Sequence, residues 1–593
     1  MPRVKLPITE WNPANGALLN PGVIGVSEAI PLASGWSISP KISTTEITSP
    51  STYTIAQLYG LHLHPVESST TQKWLFAGMH NKLLRGSAAD SSTMGTAIGA
   101  ATFSTPNADS GWQFASFGNA IYATNGNFTD PIQYAAAPAT DFVTSNIIVT
   151  PSSYDPYCKY MTTIKNHLLI GNINFTAAPS VAIPTSALTG TSYPHMVMWS
   201  ATDAPRRFGD PKAAPEILGS DYQDLLDGYG PVTGLSGGDF AYIFKPRAVY
   251  VMEGPPWTFR PLFVGLGTVY CNSIVRYFDD VYFWSTAGPV RINASRSEPD
   301  FLANSKLYPP IIDTNQTLNI PHYSYAATNN PSYSGLSHPS GARMVHGWAD
   351  MKRGLICWSF DSQTISSSSF IGSSVLVYNI SEDRWGYFQF NALANPALNL
   401  SGQTCVYQKS YPSSSSAATL MDDVYFLGGS AVDAKVGIGR YVMTGGTNAG
   451  GLGGRELTAE GLSIKTGYFS LPISDSMEST EATKTSRITR IRPLYSMQYG
   501  ESNTLLSSSV KVRTFTRYPD NNGPHIVTSS YATTDSYQQN EGWIDITGAL
   551  GLYHQIELAL LDDSDNSARY LTDFKAIEIE FVLASAVGSA NKG

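Results

Sequence analysis

The chain is patterned as a series of short apolar strands separated by turns. From about residue 53 onward, an apolar or aromatic strand is followed by Gly, Asn, Asp or Lys, and then by a second strand. Each pair predicts a β-hairpin, because β-branched and aromatic residues favour strands and these polar residues favour tight turns. The pairs are KWLFAGMHNKLLRG (73–86), WQFASFGNAIYATNG (112–126), KYMTTIKNHLLIGN (159–172), DFAYIFKPRAVYVMEG (239–254), NSIVRYFDDVYFWSTAG (272–288), RGLICWSF with SSVLVYNISEDRWGYFQF (353–390), and DDVYFLGG with GIGRYVM (422–443).

The spacing of these hairpins predicts the architecture. They recur at roughly 35 to 80 residues, and no single hairpin can bury both of its faces. Blades packed around a ring bury those faces and leave only short edges, so the pattern favours an irregular six- to seven-bladed β-propeller. A long β-sandwich is the alternative.

The flanking segments complete an all-β fold class. Residues 1–50, dense in Pro, Gly, Ser and Asn, predict an N-terminal extended arm with a short strand near Val23–Val26, lying along a neighbouring surface. The propeller is expected over 51–444, with serine-rich insertions at 366–369 and 413–416, and a Gly-rich linker over 445–460. Alternating strands over 461–593 predict a C-terminal β-sandwich. Helix is expected only as a turn around Ser220–Leu226.

Composition and charge restrict the partners. Charged residues make up 14% of the chain and the formal net charge is −9. Low charge with abundant Ser, Thr, Asn and Gly suits a surface covered by neighbouring subunits; a monomer solvated by hydroxyls and amides is the alternative. The basic surplus of a protein that grips nucleic-acid phosphates is missing. An acidic chain nevertheless suits a wall past which DNA slides, because like charges repel.

The cysteines and the apolar segments exclude several classes of protein. Cys158, Cys271, Cys357 and Cys405 include no C-x-x-C pair, which argues against a zinc site and favours buried free thiols over disulfides. The N-terminal sequence has no apolar core of a signal peptide, and no run of 18 apolar residues occurs. These features predict a protein made in a cytoplasm, without a membrane-spanning helix.

Three kinds of pattern resemble parts of catalytic sites, and each has a structural interpretation that fits better. NADSGWQF (Asn107–Phe114) approaches the Asp-box of sialidase propellers, with Asp109 correctly spaced, but Asn107 stands where Ser or Thr belongs. GLSGG around Ser236 matches a nucleophile elbow, yet a strand follows where the elbow needs a helix. Acidic pairs of the kind that glycosidases use lie in predicted turns or at a strand end. They are Asp279–Asp280, Asp422–Asp423 and Asp562–Asp563.

Three further groups resemble parts of binding sites. His62 and His64 share a strand face but have no third metal ligand in the sequence nearby. The Gly445–Gly454 loop lacks the Lys-Ser/Thr and the following helix of a phosphate loop, so it predicts a linker. Arg490 and Arg492 are expected on one strand face and Arg487 on the other, as solvated or interface charges. We therefore expect no enzymatic activity, with no catalytic, cofactor or metal residues.

Several segments together resemble one family of virion proteins. They are WQFASFGNAIYATNGNFTDPIQY (112–134), KYMTTIKNHLLIGN (159–172), YPHMVMWSATDAPRRFGD (193–210), VTGLSGGDFAYIFKPRAVYVMEG (232–254), NSIVRYFDDVYFWSTAGPVRI (272–292), VLVYNISEDRW (375–385), and TGYFSL (466–471) with RITRIRPLY (487–495). In this order they resemble the tail nozzle, or packaged-DNA-stabilisation, proteins of short-tailed bacteriophages, over about residues 20–581. The serine-rich insertions and residues 293–342 depart from that pattern.

The resemblance implies a structural role in the virion tail. It implies a homohexamer beneath the portal and adaptor rings, in contact with tail fibre proteins, as part of the head–tail connector. The ring would retain the packaged genome and conduct the viral DNA during ejection, without sequence-specific binding. The alternative is a receptor- or glycan-binding propeller of the tail, one that also cleaves glycans if paired carboxylates converge on one face.

Overall fold

The computed structural model describes most of the predicted strands and part of the segments between them. The described residues are 1–12, 22–27, 29–32, 35–38, 41–47, 58–65, 73–79, 82–87, 96–97, 103–107, 110–137, 141–144, 148–150, 155–176, 191–209, 219–285, 288–296, 298–303, 345–350, 354–360, 374–389, 398–399, 404–406, 424–430, 436–442, 463–471, 485–498, 510–518, 525–529, 532–533, 543–560 and 571–584. The linker predicted over 445–460 and the two serine-rich insertions lie outside these ranges.

The described chain is all-β, which confirms the predicted fold class. It contains 44 strands and one short 3₁₀ helix, Cys271–Ser273. The helical turn expected around Ser220–Leu226 is wrong, because residues 221–224 form a strand that pairs with a neighbour in its sheet.

The N-terminal residues form strands that join other parts of the molecule. The strand expected near Val23–Val26 is present, and four more accompany it: β1 (Arg3–Pro7), β2 (Val23–Ser27), β3 (Ala29–Pro31), β4 (Trp36–Ile38) and β5 (Lys41–Ile47).

Seven antiparallel sheets follow in chain order, each with the strand pairing of a propeller blade. Blade 1 is β6 (Leu58–Pro65), β7 (Lys73–Met79), β8 (Lys82–Ser87) and β9 (Thr96–Ala97); blade 2 is β10 (Gln113–Phe117), β11 (Ala120–Thr124), β12 (Gln133–Ala135) and β13 (Val143–Thr144). After β14 (Ile148–Thr150), blade 3 is β15 (Pro156–Ile164), β16 (His167–Phe175), β17 (Ser192–Trp199) and, after β18 (Arg207–Gly209), β19 (Asp221–Asp224); β14 and β18 pair with each other in parallel. Blade 4 is β20 (Gly234–Ser236), β21 (Ala241–Lys245), β22 (Ala248–Glu253) and β23 (Thr258–Val264).

The remaining blades repeat this arrangement. Blade 5 is β24 (Val275–Tyr277), β25 (Asp280–Ser285), β26 (Gly288–Asn293) and β27 (Asp300–Phe301); blade 6 is β28 (Val345–Asp350), β29 (Leu355–Phe360), β30 (Ser374–Asn379) and β31 (Arg384–Gln389); blade 7 has β32 (Leu398–Asn399), β33 (Thr404–Val406), β34 (Val424–Ser430) and β35 (Val436–Val442). The hairpins predicted from the sequence are all present.

The blades close into a ring. The first strands of successive blades contact one another from β6 to β10, β15 and β20, and from β24 to β28, β33 and back to β6. Blades 4 and 5 pack through apolar side chains, with the rings of Phe244 and Phe283 edge-to-face at 5.1 Å. The outer strand of blade 7 is β5, which pairs antiparallel with β35. A strand from the start of the chain therefore completes the last blade, a device that removes a free edge.

The C-terminal strands form two sheets that face each other. They are β36 (Ser463–Thr466), β37 (Ser486–Gln498), β38 (Val510–Tyr518), β39 (His525–Thr528), β40 (Ala532–Thr533), β41 (Ile544–Asp545), β42 (Leu550–Gly551), β43 (Tyr553–Leu560) and β44 (Leu571–Leu583). One sheet pairs β1, β44, β37, β41 and β42, and the other pairs β2, β36, β43, β38, β39 and β40. Isoleucine, valine and phenylalanine side chains from both sheets share one buried core.

The N-terminal strands connect the propeller to this sandwich. Strand β3 pairs with β31 of blade 6 at Ala29 and Tyr387, and β4 pairs with β44 at Trp36 and Phe574. A single eleven-stranded sheet therefore runs from blade 6 into the sandwich. Trp36 is completely buried and donates its indole N–H to the carbonyl of Thr9 at 3.0 Å.

Candidate functional site

The first strands of the blades enclose a cavity on the propeller axis, which is where propellers carry their central channel. The cavity has a volume of about 280 Å³. Six blades each contribute one polar side chain to its wall, from blade 1 to blade 6: His62, Gln113, Thr162, Ser236, Asn272 and His346.

Glycines bring the inner strands close together around this cavity. A Cβ atom on Gly347 would lie 2.4 Å from Val275 Cγ2 and 2.7 Å from the carbonyl oxygen of Ser273, in the neighbouring blade. Gly60 of β6 lies against Trp112 in the same way, since a Cβ there would approach the Trp112 carbonyl oxygen to 2.4 Å. The narrow axis therefore depends on missing side chains at the contacts between blades.

Contacts across the axis close the cavity further. Gln113 Nε2 donates to the carbonyl of Ser110 at 2.6 Å and lies 3.5 Å from Asn272 Oδ1. Gln113 belongs to blade 2 and Asn272 to blade 5, on opposite sides of a seven-bladed ring. The two side chains therefore meet across the axis and obstruct it.

His62, which blade 1 contributes to the cavity wall, is held in a neutral state. Its Nε2 atom lies 2.7 Å from Ser116 Oγ, and His64 Nδ1 lies 2.8 Å from the same oxygen. Burial, with a smaller contribution from the nearby His64, lowers the pKa of His62 to about 3. The His62 ring also stacks on Phe114, with centroids 5.5 Å apart.

The chemistry of the cavity is that of neutral hydrogen bonding. None of the described residues that line it is Asp, Glu, Lys or Arg. Glycoside hydrolysis requires two carboxylates about one bond, and general acid–base catalysis requires a group that changes charge near neutral pH. The pKa of His62 lies far below that range, so this side chain can orient a ligand by hydrogen bonding but does not exchange a proton near neutral pH.

Two residues weighed on the sequence do meet here. His62 and Ser236 both line the cavity, although their sequence motifs resemble different sites, a metal site and a nucleophile elbow. Ser236 ends β20 and is followed by strand β21, so it lies on an inner strand. Gln113, Thr162, Asn272 and His346 were not predicted, because no local motif marks them and other polar residues occur in or beside the same strands.

The other candidates either lie away from the cavity lining or fall outside the described residues. Asn107 and Gly111 form a backbone hydrogen bond of 2.9 Å in a turn before β10, whereas Asp109 lies outside the described residues. Asp279 is exposed in the turn between β24 and β25, and Asp280 pairs with Arg291 at 2.7 Å. The pairs Asp422–Asp423 and Asp562–Asp563 and the Gly445–Gly454 loop also fall outside the described ranges.

The arginines of β37 are arranged differently from the expectation. Arg490 and Arg492 share a face, as predicted, but Arg487 lies on the same face and not on the opposite one. The pairing of β37 with β44 shifts register between Ile488 and Arg490, so one extra residue reverses the alternation at that point.

A buried ion pair lies between blades 3 and 4. The side chain of Lys245 is completely buried, and its Nζ lies 2.6 Å from Asp227 Oδ1; Tyr250 donates its hydroxyl to the other carboxylate oxygen. Burial opposes ionisation of Asp227, but the hydrogen bonds from Lys245, Tyr250 and the Tyr229 amide outweigh it, so its pKa falls below the ordinary value. The pair joins the segment that follows β19 to the end of β21.

No metal site is evident among the described residues, where no three His, Cys, Asp or Glu side chains cluster. Cys158, Cys271 and Cys357 are not in disulfide bonds, and the side chain of Cys405 is not described. Among the described residues, no helix is long and apolar enough to cross a membrane.

The chain matches no protein-family model and no curated protein sequence. Among solved structures it is similar to the sialidase of Trypanosoma rangeli, with 8% identity over 91% of this chain and 96% of that one and a TM-score of 0.29. It is also similar to the WD40 domain of SCAP from fission yeast, with 9% identity, coverage of 91% and 94%, and a TM-score of 0.27.

A prolyl endopeptidase matches 62% of this chain with 9% identity and a TM-score of 0.27, and the chain spans less than half of its length, 45%. Likenesses with scores this low carry no argument about activity. The propeller is established by its own strand pairing.

Proposed function

We propose that the chain is a non-enzymatic structural protein of a bacteriophage tail. In this proposal it is a nozzle or tail-hub subunit that forms a homohexameric ring below the portal and adaptor proteins. The ring retains the packaged genome and conducts it during ejection. The protein is made in the host cytoplasm and functions in the virion.

The observation that carries the proposal is the way the first 47 residues join the parts of the molecule. Strands β1, β3 and β4 belong to the eleven-stranded sheet that runs from the sandwich into blade 6. Strand β2 belongs to the other sheet of the sandwich, and β5 belongs to blade 7. Backbone hydrogen bonds therefore connect the ring to the sandwich. A subunit built in this way resists deformation of its parts against one another, as a conduit for DNA under pressure requires.

The axial cavity is consistent with a role other than catalysis. Gln113 and Asn272 meet across it, and its described wall carries no charged residue. In a hexameric nozzle the DNA channel would lie between subunits, and the propeller of each subunit would serve as a closed building block.

The test is the assembly state of the purified chain, alone and with the phage's adaptor ring, measured by native mass spectrometry and electron microscopy. We expect six-membered rings with a central opening wide enough for duplex DNA. A chain that stays monomeric in both preparations and in virion tails would refute the proposal.

A second candidate function is recognition of a neutral glycan, and the axial cavity favours it. Neutral hydrogen-bonding side chains beside an aromatic ring, here Phe114, suit an uncharged sugar. Titration with mono- and oligosaccharides by calorimetry separates the two candidates. Saturable binding that disappears in Asn272→Ala and is kept in Asn166→Ala, a change in the exposed turn between β15 and β16, would support the glycan site.

A further inference from the structure

The outward face of one sandwich sheet carries charged and apolar side chains in three rows. The inward face of β1, β44 and β37 is buried, as Leu6, Ile491 and Ile579 are. The outward rows follow the strand register: Val582–Arg487–Leu550, then Arg3–Glu580–Arg490–Asp545, then Lys5–Glu578–Arg492.

The second and third rows hold their side chains in place. The guanidinium carbons of Arg3, Arg490 and Arg492 lie 5.0, 5.7 and 5.0 Å from the centre of the Trp543 ring. Glu580 is 3.1 Å from Arg3 Nε, and the other two arginines also have carboxylate partners, at 2.9 and 2.8 Å. Side chains fixed in this way lose little entropy when a partner binds.

The first row is different, because its cation is not paired. Arg487 is exposed and has no ion-pair partner among the described residues. Val582 and Leu550, on either side of it, are 42% and 39% exposed. We refer to Val582, Arg487 and Leu550 as the Arg487 row.

The sign of the charge on this face distinguishes it from the rest of the chain. The three rows contain five cations and three carboxylates, a surplus of two positive charges in a chain with a net charge of −9. The remaining residues therefore carry a net charge of −11. The carboxylates neutralise the paired arginines, and two exposed apolar side chains flank the unpaired Arg487. The face therefore suits a protein surface with an apolar centre and one free carboxylate better than it suits the continuous phosphates of nucleic acid.

The hairpin tip of blade 5 has the complementary pattern. Phe278 is 70% exposed and adopts a φ of 53°, which is uncommon for an aromatic residue. The ring of Tyr277 packs edge-to-face against it at 4.9 Å. The next residue, Asp279, is exposed, and no ion pair to it occurs in the described part of the chain. An aromatic residue held outward beside a free carboxylate is suited to anchor an interface.

We propose that the Arg487 row binds the Phe278–Asp279 tip of a second copy of this chain. Phe278 packs on Val582 and Leu550, and Asp279 pairs with Arg487. The two surfaces lie on different parts of the molecule, so the contact is head-to-tail and propagates until a ring closes. This inference rests on the proposed function, because it names the contact that would build the ring.

The experiment reverses each charge and then both. Native mass spectrometry and light scattering would measure assembly of the full chain as wild type, Arg487→Glu, Asp279→Arg, the double variant, and Phe278→Ser. Arg207→Glu, at an exposed arginine outside the three rows, is the matched control. Circular dichroism and the melting temperature verify that each variant is folded.

We expect each single reversal and Phe278→Ser to weaken assembly at least tenfold, the control to assemble like the wild type, and the double variant to recover most of the assembly. If wild-type rings form and the reversals assemble equally well, or the double variant does not recover, this inference is wrong and the proposed function stands. If the wild type stays monomeric alone, with the adaptor ring and in virion tails, both are refuted.

Discussion

Acid should loosen the C-terminal sandwich at one buried histidine. His554 on β43 is completely buried between the two sheets, with Nε2 2.9 Å from Ser486 Oγ and Nδ1 3.3 Å from Thr516 Oγ1. Burial lowers the pKa of His554 from 6.5 to about 4, although hydrogen bonds with Ser486 and Gly551 oppose the shift. In the unfolded chain the ring takes up a proton at a higher pH than in the folded protein.

The size of the effect follows from these two values. Because the unfolded state binds more protons, stability is fully present above pH 6.5 and is lost as the pH falls towards 4. The loss from this residue is about 2 kcal/mol at pH 5 and about 3 kcal/mol at pH 4. Below pH 4 the loss levels off, since both states are then protonated.

Hydrogen exchange read by mass spectrometry measures this locally. We would compare the free energy of opening of residues 553–560 at pH 7.5 and pH 5.0, corrected for the intrinsic exchange rate. The wild type should lose about 2 kcal/mol more than His554→Gln, which retains a hydrogen-bonding side chain but does not titrate. An equal loss in both proteins would refute the buried neutral state of His554.

Three further changes test the packing and the ion pair. Gly347→Ala should destabilise the propeller by about 1–3 kcal/mol, because the added Cβ would overlap Ser273 and Val275. Gly25→Ala should cost less, because its Cβ would lie 3.3 Å from Lys465 Cβ. Urea melts would compare the two variants, and equal losses of stability would contradict the close approach of the inner strands. Asp227→Asn should lower the free energy of unfolding by about 3–5 kcal/mol in a thermal melt, because the charge of the buried Lys245 would be left uncompensated. The control Asp203→Asn, at an exposed turn, should be nearly neutral. A mild effect of Asp227→Asn would show that Lys245 is hydrated or uncharged. Trp36→Ala should cost about 3–5 kcal/mol and speed proteolysis within residues 1–47, and unchanged cleavage would mean that Trp36 does not anchor those strands.

The hairpins could be predicted from the sequence because their alternation and turn residues are local signals. The number of blades could not be predicted in the same way, because the recognisable hairpin occupies different strand positions in different blades. In blades 2, 3 and 5 the recognisable hairpin is the first and second strands, whereas in blades 1 and 4 it is the second and third. The spacing between hairpins therefore varies although the blades repeat. Outer strands of two residues, such as β9 and β27, show no alternation to find.

The candidate site was predictable only in part, for a similar reason. His62 and Ser236 attracted attention through short motifs, but nothing local marks Gln113 or Asn272, since their role depends on a ring that places them opposite each other. The prediction for the face of Arg487 was wrong because a single bulge residue reverses the strand alternation. No residue type in this segment indicates the position of that bulge.

The closure of blade 7 by β5 has a consequence for the order of folding. Strand β5 leaves the ribosome before the blades do, yet its partner β35 follows about 400 residues later. Strand β1 likewise pairs with β44 at Arg3 and Glu580, which are 577 residues apart. Such distant pairing slows folding, because the chain must lose loop entropy before these contacts form. The early strands therefore have to wait unpaired while the blades are synthesised, and this interval is when a nascent chain is most exposed to aggregation or to exchange of its N-terminal strands with a neighbour.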